Sequence, residues 1–92
     1  MNLVTLFGTI KEQPVLKKDS QGQVYTDIEL VPIGGDSKNK SEEITVKVAD
    51  ELAIHFVKEA KKDDLIAING EIHGKNRCYE ILVKRISFIV EE

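Results

Sequence analysis

Apolar and polar residues alternate along most of the chain with the period of two that marks half-buried strands. In the first run, residues 2–10, Val4, Leu6, Gly8 and Ile10 share one side and Leu3, Thr5, Phe7 and Thr9 the other. Both sides carry apolar residues, as in a long barrel strand partly covered on both faces. Gly8 interrupts the run and marks a bulge or a sharp corner. The following Lys11-Glu-Gln-Pro14 ends the pairing, because Pro14 has no amide to donate. Residues 15–18 form a short edge segment, and Asp19-Ser-Gln-Gly22 reads as a turn. Val24, Thr26, Ile28 and Leu30 then alternate with Tyr25, Asp27 and Glu29, which predicts a second full strand. Residues 32–41 hold glycine, serine and charge without a periodic face and read as a hairpin loop. Ile44, Val46 and Val48, set against Glu43, Thr45 and Lys47, predict a third strand.

The period then changes. Asp50 stands where its carboxylate can cap a helix. Leu52, Ala53, Phe56, Val57 and Ala60 make an apolar stripe at helical spacing. Lys58, Lys61 and Lys62 gather toward its end, where positive charge suits the helix dipole, and Asp63-Asp64 closes it. Residues 65–72 return to strand alternation, Gly74-Lys-Asn76 predicts a tight reversal, and residues 79–90 form the last strand. Three strands, one α-helix, then two strands is the order of a five-stranded OB-fold barrel. The expected class is all-β, with the helix between strands 3 and 4.

Composition narrows the possibilities. The 92 residues, 41% apolar and 32% charged, suit a single soluble domain over 1–92. So small a domain gains stability by burying surface against a second copy. No apolar run approaches the roughly 18 residues of a membrane helix, and a basic-then-apolar secretory leader is not seen. Cys78, the single cysteine, forms no internal disulfide, and a cytoplasmic location is expected. The net charge of -3 argues against indiscriminate adhesion to nucleic acid, although binding needs only one basic face.

Specific residues refine this outline. Asn2-x-Val4-x-Leu6-x-Gly8, Pro14-x-Leu16, Gly22, the lysine-rich helix end, Asn69-Gly70 and Glu80-Ile81-x-x-x-x-Ile86-x-Phe88-Ile89 together resemble the bacterial single-stranded-DNA-binding protein family. The matches span nearly the whole chain. The resemblance implies a homodimer or homotetramer that holds single-stranded DNA on strands and loops, by stacking on aromatics and pairing with cations. It leaves RNA as a second ligand and replication proteins as further partners. It also implies a long acidic, aromatic-ended tail; the sequence stops at Glu91-Glu92, so recruitment through such a tail is not expected.

The residues that would do this work depart from the family. Its stacking positions fall near Asp36, at Glu43 and Ala49, and at Arg77, none of them aromatic, and the chain has no tryptophan. The outward face of strands two and three sets Asp27, Glu29 and Glu43 against Tyr25, Thr45 and Lys47. The short hairpin from Glu71 to Cys78 also differs from the extended one common in the family. The candidate nucleic-acid-binding residues are therefore cationic: Lys11, Lys17, Lys18, Lys47, Lys61, Lys62, His73, Lys75 and Arg77, with Tyr25 and Tyr79 for stacking. Lys38 and Lys40 in the loop add to these cations. Phe7, Phe56 and Phe88 read as packing residues, with Phe7 alternatively in an oligomer contact, and His55 as a surface or half-buried helix residue.

Other chemistry is thin. His73 and Cys78 are too few for zinc. Gly34-Gly35 is only a turn signal, and the carboxylates lack a paired base and nucleophile, so neither cofactor nor catalysis is expected. Two functions remain. One is a non-specific single-stranded DNA-binding protein of the replication, recombination and repair type, working through cationic loops with little stacking. The other is an OB-fold protein-protein interaction module, such as a replication or primosome accessory, motivated by the acidic strand face.

Overall fold

The computed structural model describes residues 2–33 and 43–90, the side chain of Lys75 excepted. Gly34, Gly35, Asp36, Lys38 and Lys40 of the expected loop lie outside the described residues, as do Glu91 and Glu92. The elements are β1 (Val4–Ile10), β2 (Lys17–Lys18), β3 (Val24–Pro32), β4 (Ile44–Ala49), α1 (Asp50–Glu59), β5 (Leu65–Lys75) and β6 (Cys78–Phe88). The sheet runs β1-β5-β6-β4-β3-β2, and a further β1–β3 pairing closes it into a barrel. With the two-residue β2 set aside as an edge, five strands and one helix remain in the expected order. The fold is an OB barrel.

Alternation decides what fills it. Ile10, Ile28, Leu30, Val46, Val48, Ile66 and Ile68 are buried, while Tyr25, Asp27, Glu29, Thr45 and Lys47 lie on the other face. Phe56 and Ala53 bring the apolar stripe of α1 onto this core, and Phe56 stacks on Phe88 at 5.7 Å between ring centroids. Gly8 is the corner: it pairs with Ile66 of β5 and with Pro32 of β3, so β1 changes partner there. A bulge lies at Asn69/Gly70, where the β6 register slips past Lys84.

Thr26 is the one polar side chain in the described core, and its hydroxyl has no hydrogen-bond partner among the described residues. An unpaired buried hydroxyl costs folding free energy that an apolar isostere does not. Thr26→Val is therefore expected to raise stability by about 1 kcal/mol, read as a higher urea midpoint at unchanged slope. An unchanged or lower midpoint would contradict this.

Several local expectations are corrected. Asp50 does not cap α1: the N-cap is Ala49, without a side-chain capping bond, and Asp50 itself takes a positive φ of 58°. The helix stops at Glu59 with Ala60 extended, so Lys61 and Lys62 belong to the turn that follows. Within that turn Asp64 Oδ2 accepts the Lys61 amide while the Asp64 amide donates to the Lys61 carbonyl. The hairpin reverses at Asn76-Arg77 and not at Gly74, since Lys75 pairs with Cys78 and both turn residues have positive φ. The last strand ends at Phe88, two residues short of the expected limit, and β3 runs on through Pro32.

Candidate nucleic-acid interface

Five strands, β2 to β6, contribute to the face on which the candidate residues converge. Register places Lys17 beside Tyr25, Asp27 beside Lys47, Lys47 beside Leu82, and His73 beside Glu80. At its centre is an open pocket of ≈ 250 Å³ with Val24, Tyr25, Lys47, His73, Glu80 and Leu82 in its lining. The Lys47 ammonium lies 4.8 Å from the Tyr25 ring centroid, a cation–π contact, and 3.5 Å from Glu80 Oε1. A separate, more open groove is lined by Ile72, Tyr79 and Ile81, which alternate with His73, Glu80 and Leu82 along the β5–β6 arm. Tyr79 is 83% exposed and presents its ring to solvent.

Charge on this face alternates. Lys17 reaches Asp27 at 4.0 Å, Lys47 reaches Glu80, and His73 Nε2 lies 3.3 Å from Glu71 Oε1. Lys17 and Lys47 thus each have a carboxylate beside them, as does the His73 ring. Such exposed pairs are worth about 0–1 kcal/mol, little enough for a phosphate to displace.

The other candidates separate from this cluster. Lys11 is committed to Glu43 at 2.6 Å. Hydrogen bonding to that carboxylate, with its negative charge, raises the Lys11 pKa against the opposing effect of desolvation. Because the folded-state value is the raised one, the lysine's contribution to the tether is present at neutral pH and is lost as pH rises through that raised value. Lys61 and Lys62 precede β5, whereas Arg77 lies past its far end and Tyr79 pairs with Gly74 near that end. The barrel therefore does not bring the post-helix lysines to the hairpin. Lys18 pairs with Val24 on the edge strand, at the margin of the central pocket.

Side-chain hydrogen bonds between residues distant in sequence and within one turn hold these pieces. Asn2 brackets Ile72, donating to its carbonyl and accepting its amide at 2.8 Å, which ties the start of the chain to the hairpin arm. Gln13 donates to the Ala60 carbonyl and accepts the Lys62 amide, fixing the post-helix turn. Thr5 donates to Asn69 at 2.8 Å. Asp19 Oδ1 accepts the amides of Gln21 and Gln23, giving the predicted turn its mechanism.

The hairpin tip is strained. A two-residue loop with positive φ at both positions suits Asn-Gly, yet Arg77 occupies the second at φ 66°. Arg77→Gly should raise stability by about 1 kcal/mol, as a residue with a Cβ is removed from the left-handed region. If Arg77 is kept there to meet phosphate, the same variant weakens oligonucleotide binding. Paired melting and binding titrations check both; a variant that is less stable would contradict the turn geometry.

No family model matches the sequence, and no curated protein does. Solved structures do match in fold. The mitochondrial single-stranded DNA binding protein of S. cerevisiae superposes with a TM-score of 0.72 at 12% identity, over 95% of this chain and 92% of that one. The single-stranded DNA binding protein of Thermus aquaticus gives 0.78 at 20% identity, with the whole of this chain covering 42% of that longer one. The SSB domain of a Synechococcus sp. protein gives 0.73 at 17% identity, over 94% and 93% of the two chains. At these identities the likeness is one of fold: this is the barrel that those DNA-binding proteins use.

Proposed function

We propose that this chain is a non-specific single-stranded DNA-binding protein acting in replication, recombination or repair, and that it binds mainly through cations with little aromatic stacking. The observation that carries this reading is the gathering of Tyr25, Lys47 and His73 around one pocket, with Lys17 beside Tyr25 and Tyr79 exposed on the β5–β6 arm. Single-strand sites need a positive track for the backbone and ring faces for bases. Here both are present in reduced form, which supports weak, salt-sensitive contact. Lys18 and Arg77 extend the track, the Lys75 side chain lying outside the described residues; Lys61 and Lys62 form a second point of contact, and Lys11 stays with Glu43. RNA would meet the same surface.

A homodimer or homotetramer fits the opposite side of the barrel. Leu3, just before β1, and Phe7 on its outward face are 67% and 48% exposed, with Ile33 hydrogen-bonded beside Phe7. A second copy would cover this apolar patch and pool the cations of two chains. The interaction-module alternative draws on the carboxylates paired along the interface. No described helix is long and apolar enough to cross a membrane, and a cytoplasmic site of action suits the proposed role.

The test is an oligo-dT titration at two salt concentrations. Binding at roughly 20–50 mM salt that falls steeply as salt rises supports the proposal. Folded protein that binds nothing at low salt, while capturing a protein partner that survives nuclease treatment, supports the alternative.

A further inference from the structure

Lys84 and Arg85 take no part in the pocket around Lys47. They stand on β6 where its register with β5 slips: Asn69 pairs with Arg85 and Gly70 with Val83, which leaves Lys84 as the extra residue. A bulge sets two residues of one strand against one of its partner. Here both are exposed, and both line an open groove of ≈ 470 Å³ with Asn2, Leu3, Asn69 and Glu71. Among the described residues neither cation has a carboxylate within ion-pair distance. Glu71, in the same groove, places Oε1 beside His73 Nε2 instead. Leu3 is exposed there on backbone held from both sides. Asn2 is hydrogen-bonded to Ile72, and Val4 pairs with Gly70.

We propose that this groove is closed by the same groove of a second copy, with Arg85 of one copy paired to Glu71 of the other. This rests on the second-copy contact proposed above and gives it a charged register beside Leu3. A two-fold contact sets a patch against itself, so the patch must carry its own complement. A patch of cations alone would repel its copy. Here the cations and the carboxylate share one groove without meeting inside the chain, and a two-fold axis through the groove brings them together around Leu3. Arginine and carboxylate join as a bidentate fork, which fixes how the copies are turned. A strand of DNA fits the groove less well, because it would satisfy the cations and leave its phosphates against Glu71.

Sedimentation equilibrium of the whole chain at low salt, over a range of protein concentrations, tests this with two single variants. Glu71→Lys and Arg85→Glu each set like charges against one another across the axis, and each should weaken self-association about tenfold or more. An equimolar mixture of the two variants should associate at close to the parent strength, because every such contact then joins a cation to a carboxylate again. That recovery also shows that both variants are folded. Single variants that associate as strongly as the parent overturn the contact and leave the second-copy reading standing. Weakened variants whose mixture does not recover, with circular dichroism showing both folded, overturn the contact as well. A parent that stays monomeric overturns the contact together with the second-copy reading.

Discussion

Gly8→Ala is expected to lower folding stability by about 3 kcal/mol or more, a large part of what a domain this size possesses. The reason is contact with backbone. A Cβ at Gly8 would lie 2.4 Å from the Val31 carbonyl oxygen and 2.9 Å from its carbon. Neither atom can swing aside, because β1 is pinned there between β5 and β3. Gly70→Ala meets the same obstacle at the bulge, 2.6 Å from the Leu82 carbonyl oxygen. Gly74→Ala is the contrast: its nearest neighbour is a Tyr79 ring carbon at 4.0 Å, and its cost should be within about 0.5 kcal/mol. Thermal melts separate the cases, with the two clashing variants falling by about 12 °C or more and Gly74→Ala staying near the parent. Equal effects at the three positions would show that barrel closure at Gly8 is not as described.

The second large effect concerns Lys47, where the cation–π contact, the Glu80 pair and the register neighbour Asp27 meet. Lys47→Ala should reduce oligo-dT affinity about tenfold at low salt and make the salt slope shallower by about one unit, since one phosphate contact is lost. Its urea midpoint should scarcely move, because an exposed pair holds little stability. Glu80→Gln should act in the opposite direction. With its carboxylate partner neutralised, Lys47 is left to the DNA, and oligo-dT affinity should rise about threefold as one repulsive charge is removed. If both variants weaken binding, the pair itself is the recognised element and the displacement account is wrong.

Much of the barrel was legible because alternation at Val24–Leu30 and Ile44–Val48 separates inside from outside residue by residue. The helix was visible from Phe56 and its neighbours, yet its end was not. Ala60 is as buried as a helical residue would be, so a stripe of apolar positions cannot reveal that its backbone is already extended. The hairpin misled for a related reason. Gly74 carries the stronger turn signal, but the register set by Ile72 and Ile81 places the reversal on Asn76 and Arg77. The interface was half legible. Residue types gave Lys47, Tyr25 and His73 as candidates, but their convergence depends on the parallel β4–β6 pairing, which no local pattern encodes. The same holds for Lys11, whose partner Glu43 is 32 positions away.

The central claim is that single-stranded DNA lies across β3, β4 and the β5–β6 arm. Backbone amide NMR shifts of the isotopically labelled protein, followed as oligo-dT is added at low salt, address it most directly. The largest shifts are expected at Tyr25, Lys47, His73 and Tyr79, with smaller ones at Lys17 and Lys18 and none beyond background at Leu3 and Phe7. Shifts centred on Leu3 and Phe7, or none with the protein folded, would contradict it.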